Sequence, residues 1–198
     1  MTEGTYILFL GGARSGKSRA ADAAASRHGP RVLYVATAEA RDAEMAARID
    51  AHRANRPATW RTIEAPRNVG AAVRRALRDG GADAVLVDCV TILVSNLLLD
   101  GLSDEDLDSI DEAAAQGRVD EELDELLAAI RESGLPWILV SNEVGSGIVP
   151  ASPLGRVYRD LLGRANQRLT ASAENAYLMV AGRALDLSAL ADDELSLG

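Results

Sequence analysis

The stretch "GGARSGKS", from Gly11 to Ser18, fits the pattern G-x-x-x-x-G-K-[ST] at Gly11, Gly16, Lys17 and Ser18. Residues of these types at this spacing hold phosphate. Successive backbone N–H groups of such a loop (Gly11, Gly12, Ala13, Arg14, Ser15, Gly16) point into one concavity. The helix that follows adds the partial positive charge of its N-terminus. Lys17 is the only lysine among 21 cationic residues, and the other twenty are arginine. An ammonium is a compact charge on a flexible stem. It sits between β- and γ-phosphates, where arginine's planar fork is poorly matched. A chain that uses arginine everywhere else keeps lysine at the one site where arginine would not fit. Ser18 is then a candidate Mg2+ ligand, and a second acid on the magnesium side is expected at the end of an apolar strand. "AVLVDC" supplies Asp88 there. The alternative is an acid that merely caps whatever follows the strand.

A second stretch, Ala36 to Pro66, sets Arg41, Arg48, Arg53, Arg56 and Arg61 around His52. His52 is either a solvated helix end or a neutral imidazole that attacks phosphorus. In the second case neighbouring arginines hold the phosphates and keep the ring unprotonated. Spacing leaves both readings open. The other histidine, His28 in "SRHGP", sits at an expected helix end and reads as structural. A third stretch, "ILVSNEVGSGIVP", ends an apolar strand in Ser141-Asn142-Glu143 and continues as a glycine loop. In open α/β sheets ligands sit beyond the carboxyl ends of strands, so Asn142 and Glu143 are expected to face the site.

The elements that must position these residues are short. Strands are expected at Tyr6–Leu10, Val32–Ala36, Ala84–Val87, Trp137–Val140 and Tyr177–Val180, with a weaker one at Thr59–Ile63. Helices are expected at Lys17–Ser26, Asp42–Arg53, Val69–Arg78, Val119–Glu132 and Val157–Ser172. Strands alternating with helices predict an α/β fold with a mostly parallel sheet. The acidic segment Asp100–Val119 reads as an exposed loop or short-helix insertion. No repeat or long linker interrupts the 198 residues, and residues 1–198 read as one domain.

Composition narrows the function classes. Apolar residues at 47 % are enough for a substantial core, while aromatics are scarce at 4 %. The net charge of −9 argues against general nucleic-acid binding. Its distribution is uneven: residues 1–80 hold 14 Arg/Lys against 8 Asp/Glu, and the remainder hold 7 against 22. That asymmetry suggests an anionic ligand held mainly by the first half. No run approaches a membrane span, and the acidic start lacks the features of a signal peptide. A single cysteine, Cys89, permits no intrachain disulfide, which fits a reducing, cytoplasmic setting.

Five stretches then stand in a telling order: "GGARSGKS", "EMAARIDAHRANRPATWRTIE", "DCVTILVSNLL", "SNEVGSGIVP" and "YRDLLGRANQRL". Together they resemble the bifunctional adenosylcobinamide kinase / adenosylcobinamide-phosphate guanylyltransferase family of cobalamin assembly. The likeness runs from Tyr6 to about Gly182 and is weakest over Leu102–Arg118 and the tail. It implies a RecA-like P-loop domain that works as a homotrimer with Mg2+. The implied reactions are phosphorylation of the aminopropanol hydroxyl of adenosylcobinamide by ATP or GTP, then GMP transfer from GTP to that phosphate. The family's guanylyl-carrying histidine lies in an R-I-x-x-H pattern, here Arg48 to His52, so the resemblance gives His52 that role. It places nucleotide contacts on the phosphate loop, on Ala36, Thr37 and Ala38, on Arg53, Ala54, Asn55 and Arg56, on Glu64 and on Asp88. A carboxylate at Glu64 could accept the N–H donors of guanine. Two rivals stay on the table. A plain P-loop kinase would be indifferent to His52, and a nucleotide switch would have no small-molecule acceptor.

Overall fold

The computed structural model describes residues 4–39, 56–102 and 110–190. Its elements run β1 (Tyr6–Gly11), α1 (Lys17–Ser26), β2 (Val32–Ala36), β3 (Arg61–Glu64), α2 (Val69–Asp79) and β4 (Ala84–Asp88). They continue with α3 (Val90–Leu99), α4 (Glu112–Ser133), β5 (Trp137–Val140), α5 (Pro153–Ser172), β6 (Asn175–Val180) and β7 (Arg183–Asp186). The strands form one sheet in the order β3-β2-β4-β5-β1-β6-β7. Every neighbouring pair is parallel except β6 and β7. The fold is thus α/β with a mostly parallel sheet, as the alternation of strands and helices predicts.

The inner strands are apolar almost throughout, with Asp88 at the end of β4 an exception, because both faces of the sheet are covered. Leu8, Leu33, Val85, Val87 and Leu139 point to the face that buries Val73 of α2, Leu93 of α3, Leu126 of α4 and Leu161 of α5. Their neighbours Phe9, Tyr34, Leu86, Ile138 and Val140 point to the opposite face, where Ala21 and Ala25 of α1 pack. Small alanines let α1 lie close to the strands, which suits a helix that must start at the sheet edge.

Several boundaries differ from the sequence expectation. The last eight residues of Asp100–Val119 are not loop but the first turns of α4. Asp111 caps them by accepting the Ala114 N–H at 3.0 Å, and Ala115 and Val119 are buried one turn apart. Helix α3 has no expected counterpart. Its run "VTILVSNLLL" is apolar on nearly all sides and so has no helical period to detect. Strand β7 is a four-residue edge strand with three exposed positions, too short to register in sequence. Helix α5 starts four residues early, where Ser152 accepts the Gly155 N–H. Strand β3 covers Arg61–Glu64 rather than Thr59–Ile63, and the expected helix Asp42–Arg53 lies outside the described residues.

One contact between helices carries a clear stability expectation. Glu122 of α4 is 6 % exposed, and its carboxylate accepts the N–H groups of Asn68 and Val69, each at 2.8 Å. It therefore caps α2 from another element and meets the positive end of that helix. Glu122→Ala leaves the buried Val69 N–H and the part-buried Asn68 N–H without this acceptor and is expected to cost about 1–3 kcal/mol. The urea midpoint should fall by on the order of 1 M, and a midpoint within about 0.2 M of wild type would remove the capping role.

Candidate active site

The parallel register brings one residue from each of four strands into a single row at the carboxyl edge. Glu64 of β3 pairs with Ala36, Ala36 with Asp88, and Asp88 with Val140 of β5. The row ends at β1, where the Ser141 N–H donates to Phe9 O and the Glu143 N–H donates to Gly11 O. Four residues from distant parts of the sequence, Glu64, Ala36, Asp88 and Gly11, thus share one edge. One strand, β5, separates β1 from β4, so Asp88 stands about 10 Å across the sheet from Phe9, two residues before Gly11.

The phosphate loop leaves β1 at Gly11 and enters α1 at Lys17. A Cβ on Gly11 would stand 2.6 Å from Met179 O and 2.7 Å from Ser15 Oγ, so only glycine fits. Arg14 and Gly16 take left-handed conformations, and the bend aims the first turn of α1 back at the strand ends. A Cβ on Gly16 would approach the Gly182 Cα to 3.2 Å, and Gly182 N–H donates to Ser15 O at 2.9 Å. The β6–β7 turn therefore braces the loop from outside. No acid sits in the first turn of α1, so the helix itself does not neutralise the partial charge of its N-terminus. Ser15 Oγ is buried without a hydrogen-bond partner among the described residues.

Lys17 folds back over the loop, its Nζ donating to Gly12 O at 2.9 Å. Desolvation lowers its pKa, and the fields of Cys89 and Asp88 pull it part-way back. Desolvation also pushes the Cys89 thiol up to about 11, so at neutral pH the thiol is uncharged and the pull that counts is Asp88's. Lys17 and Asp88, 71 positions apart in sequence, thus act on one another. Asp88 Oδ2 accepts the Tyr34 hydroxyl at 2.9 Å, while Oδ1 has no hydrogen bond among the described residues. Burial holds the Tyr34 phenol well above its ordinary pKa, so it stays protonated and donates. The Arg56 guanidinium lies 3.3 Å over the Tyr34 ring and donates to Thr62 Oγ1.

The scan against family models matches residues 7–187 to "Cobinamide kinase / cobinamide phosphate guanyltransferase". The chain belongs to this family. It is 45% identical over 176 residues to the bifunctional adenosylcobalamin biosynthesis protein CobU of Salmonella typhimurium, covering 89% of this chain and 96% of that one. The CobU of Escherichia coli is 44% identical over the same shares. The bifunctional protein CobP of Pseudomonas aeruginosa is 42% identical over 91% of this chain and 95% of its own. Such coverage carries the P-loop fold and the standing of an enzyme to this member of the family.

Not every sequence candidate meets the others in this cobinamide kinase / guanyltransferase fold. His52, Arg53, Ala54 and Asn55 lie outside the described residues, as do Arg41 and Arg48. Arg61 does not join a cluster at the edge. It opens β3, three residues before Glu64, and its Nη2 donates to Ala76 O and Gly80 O at the C-terminus of α2. A helix C-terminus attracts a cation, which explains its use there. Thr37 is fully buried, and its polar atoms are engaged. Its N–H donates to Asp88 O, its hydroxyl bridges Cys89 N and O, and its carbonyl accepts from Asn96. Thr37 clamps the ends of β2 and β4. His28 is exposed just past α1, as its sequence context suggests. Tyr34 and Asn96 were not among the sequence candidates. The detectable signals were a polar-tipped ring in an aromatic-poor chain and an amide in an apolar helix.

The raised thiol gives a pH expectation. At pH 8 only about a thousandth of Cys89 is thiolate, against about a quarter for a free cysteine. An aromatic disulfide reagent should label the native protein about a hundredfold more slowly than a free thiol, with the rate rising towards pH 11. Labelling of native protein at the free-thiol rate at pH 8 would contradict this environment.

Proposed function

We propose that the chain phosphorylates the aminopropanol hydroxyl of adenosylcobinamide with ATP or GTP, then transfers GMP from GTP to that phosphate. The observation that carries the reading is a phosphate loop with Lys17 at the carboxyl edge of the sheet that also carries Asp88, whose charge acts on Lys17, in a chain of this family. In the first step the acceptor oxygen attacks the γ-phosphorus, the bond to the β-phosphate oxygen breaks, and a nucleoside diphosphate leaves. Loop amides from Gly12 to Ser18 and the Lys17 ammonium hold the phosphate oxygens. Asp88 Oδ1 is free to accept the acceptor proton or a metal ion.

Ser18 Oγ and Asp88 offer one hydroxyl and one carboxylate, a sparse set that suits Mg2+ completed by phosphate and water. Bound there, Mg2+ would supply positive charge against the developing charge of the transferring phosphoryl group. In the second step the His52 imidazole attacks the α-phosphorus, pyrophosphate leaves, and GMP rides on nitrogen. The phosphate of the corrinoid then displaces the imidazole and yields adenosylcobinamide-GDP. A covalent intermediate splits one difficult transfer into two easier ones. In this reading Ala36, Ala38, Arg56 and Glu64 take the base and ribose, and the active form is a homotrimer.

The test uses GTP labelled at the α-phosphorus, with Mg2+ and without corrinoid. Label should remain on the denatured protein, fall off in acid, survive alkali, and leave when phosphorylated corrinoid is added. GTP binding without protein-bound label would return the choice to a plain kinase or a nucleotide switch.

A further inference from the structure

Three of the family stretches interlock beneath the site. The Asn142 N–H donates to Thr91 Oγ1 at 2.6 Å, Ser141 Oγ donates to Asn166 Oδ1 at 2.6 Å, and Asn166 Nδ2 donates to Asn142 O at 2.9 Å. Thr91, Ser141 and Asn166 are all buried. This network fixes the root of the loop that follows β5, and the Glu143 N–H bond to Gly11 O ties the same root to the phosphate loop. Further along, Glu143 Oε1 accepts the N–H groups of Gly145 and Ser146 at 2.5 and 3.2 Å. Arg156 Nη1 closes the far end by donating to Pro150 O and Ala151 O.

A loop held at both ends and across its middle presents bare apolar side chains at its tip. Ile148 is 98 % exposed and Val149 is 60 % exposed. Single exposed aliphatic residues are ordinary on protein surfaces. Two in succession, on a braced loop rooted against a phosphate loop, gain nothing for folding and suit a ligand. At the end of the loop, Leu98, Leu99, Leu154 and Tyr158 line an apolar cavity of about 250 Å³.

We infer that the loop from Glu143 to Pro150 is the acceptor wall of the site. Ile148 and Val149 receive the apolar face of the corrin ring, and Glu143 is a positioning residue that holds the loop in shape. This rests on the function proposed above and deepens it. The acceptor must bring its hydroxyl to Lys17 and Asp88, and its macrocycle is too large to enter beside them. It must therefore lie on a neighbouring surface. In a chain with 4 % aromatics the ring has little to stack on, and a braced aliphatic tip, on a loop whose root is bonded to Gly11, supplies the contact. A second copy of the chain is the rival occupant.

The test is a spectroscopic titration of adenosylcobinamide into wild type and Ile148→Ser/Val149→Ser, with the Kd for GTP as internal reference. The ratio of corrinoid Kd to GTP Kd should rise about tenfold or more in the double variant. Glu143→Ala should raise it too, and Glu143→Gln should restore it, because an amide oxygen still accepts both N–H groups. An unchanged ratio in the double variant overturns the inference. A change in sedimentation with an unchanged ratio also overturns it and gives the pair to a second copy. Wild type that binds GTP but no corrinoid sinks the proposed function as well. Wild type and double variant binding corrinoid equally sink only the acceptor wall.

Discussion

Lys17→Arg should lower kcat/KM of the kinase step by about a hundredfold or more, although the charge is kept. The Lys17 ammonium reaches Gly12 O across its own loop, so the space above the loop matches one compact group. A guanidinium is wider and planar, and its fork cannot point between two phosphates without displacing loop amides. Desolvation sharpens the requirement, since Lys17 already holds its charge against burial with Asp88 as support. Lys17→Met should cost at least as much. Guanylyl transfer should fall with both variants, because the loop also receives the leaving pyrophosphate. Steady-state kinetics with varied nucleotide, beside circular dichroism spectra that match wild type, make the measurement. Lys17→Arg within about twofold of wild type would remove the geometric argument for the only lysine in the chain.

His52→Ala should separate the two reactions. Label from the α-phosphate should fall by at least about a thousandfold, to background, because the nucleophile itself is gone. Phosphorylation of adenosylcobinamide should continue, since attack on the γ-phosphorus needs the loop, Lys17 and Asp88 but not the imidazole. The phosphorylated acceptor should then accumulate, which chromatography of the corrinoid products would show directly. Loss of both reactions in a folded variant would mean that His52 serves the nucleotide site as a whole. Loss of neither would make it a solvated helix end.

Much of the fold was legible because its signals are local. Strands β1, β2 and β5 and helix α1 are short apolar or small-residue runs between turn residues, and the sequence expectation places each of them within one residue. The signals failed where tertiary contact overrides local pattern. Helix α3 is buried on nearly every side and so lacks polar residues to mark its period. The N-terminal turns of α4 look like an acidic loop until Ala115 and Val119 find their partners. The site divides the same way. The phosphate loop is contiguous, and its glycines and lysine declare their chemistry in eight residues. Arg61 is the counter-example: one arginine in a cluster by sequence, it faces away because β3 spends about 10 Å between it and Glu64.

The sequence by itself determined the phosphate chemistry, the α/β class and the family, since each rests on residue types at fixed local spacing. Only the tertiary structure decided which distant residues share the edge. The order β3-β2-β4-β5-β1 brings Glu64, Ala36, Asp88, Val140 and Phe9 into one row, with Gly11 two residues beyond it. It also decided that Thr37 is a clamp, that Tyr34 holds Asp88, and that Ile148 and Val149 stand exposed. The physical reason is register. Strand pairing and helix packing are cooperative, long-range choices made by burial of the whole core, and no short window of sequence contains them.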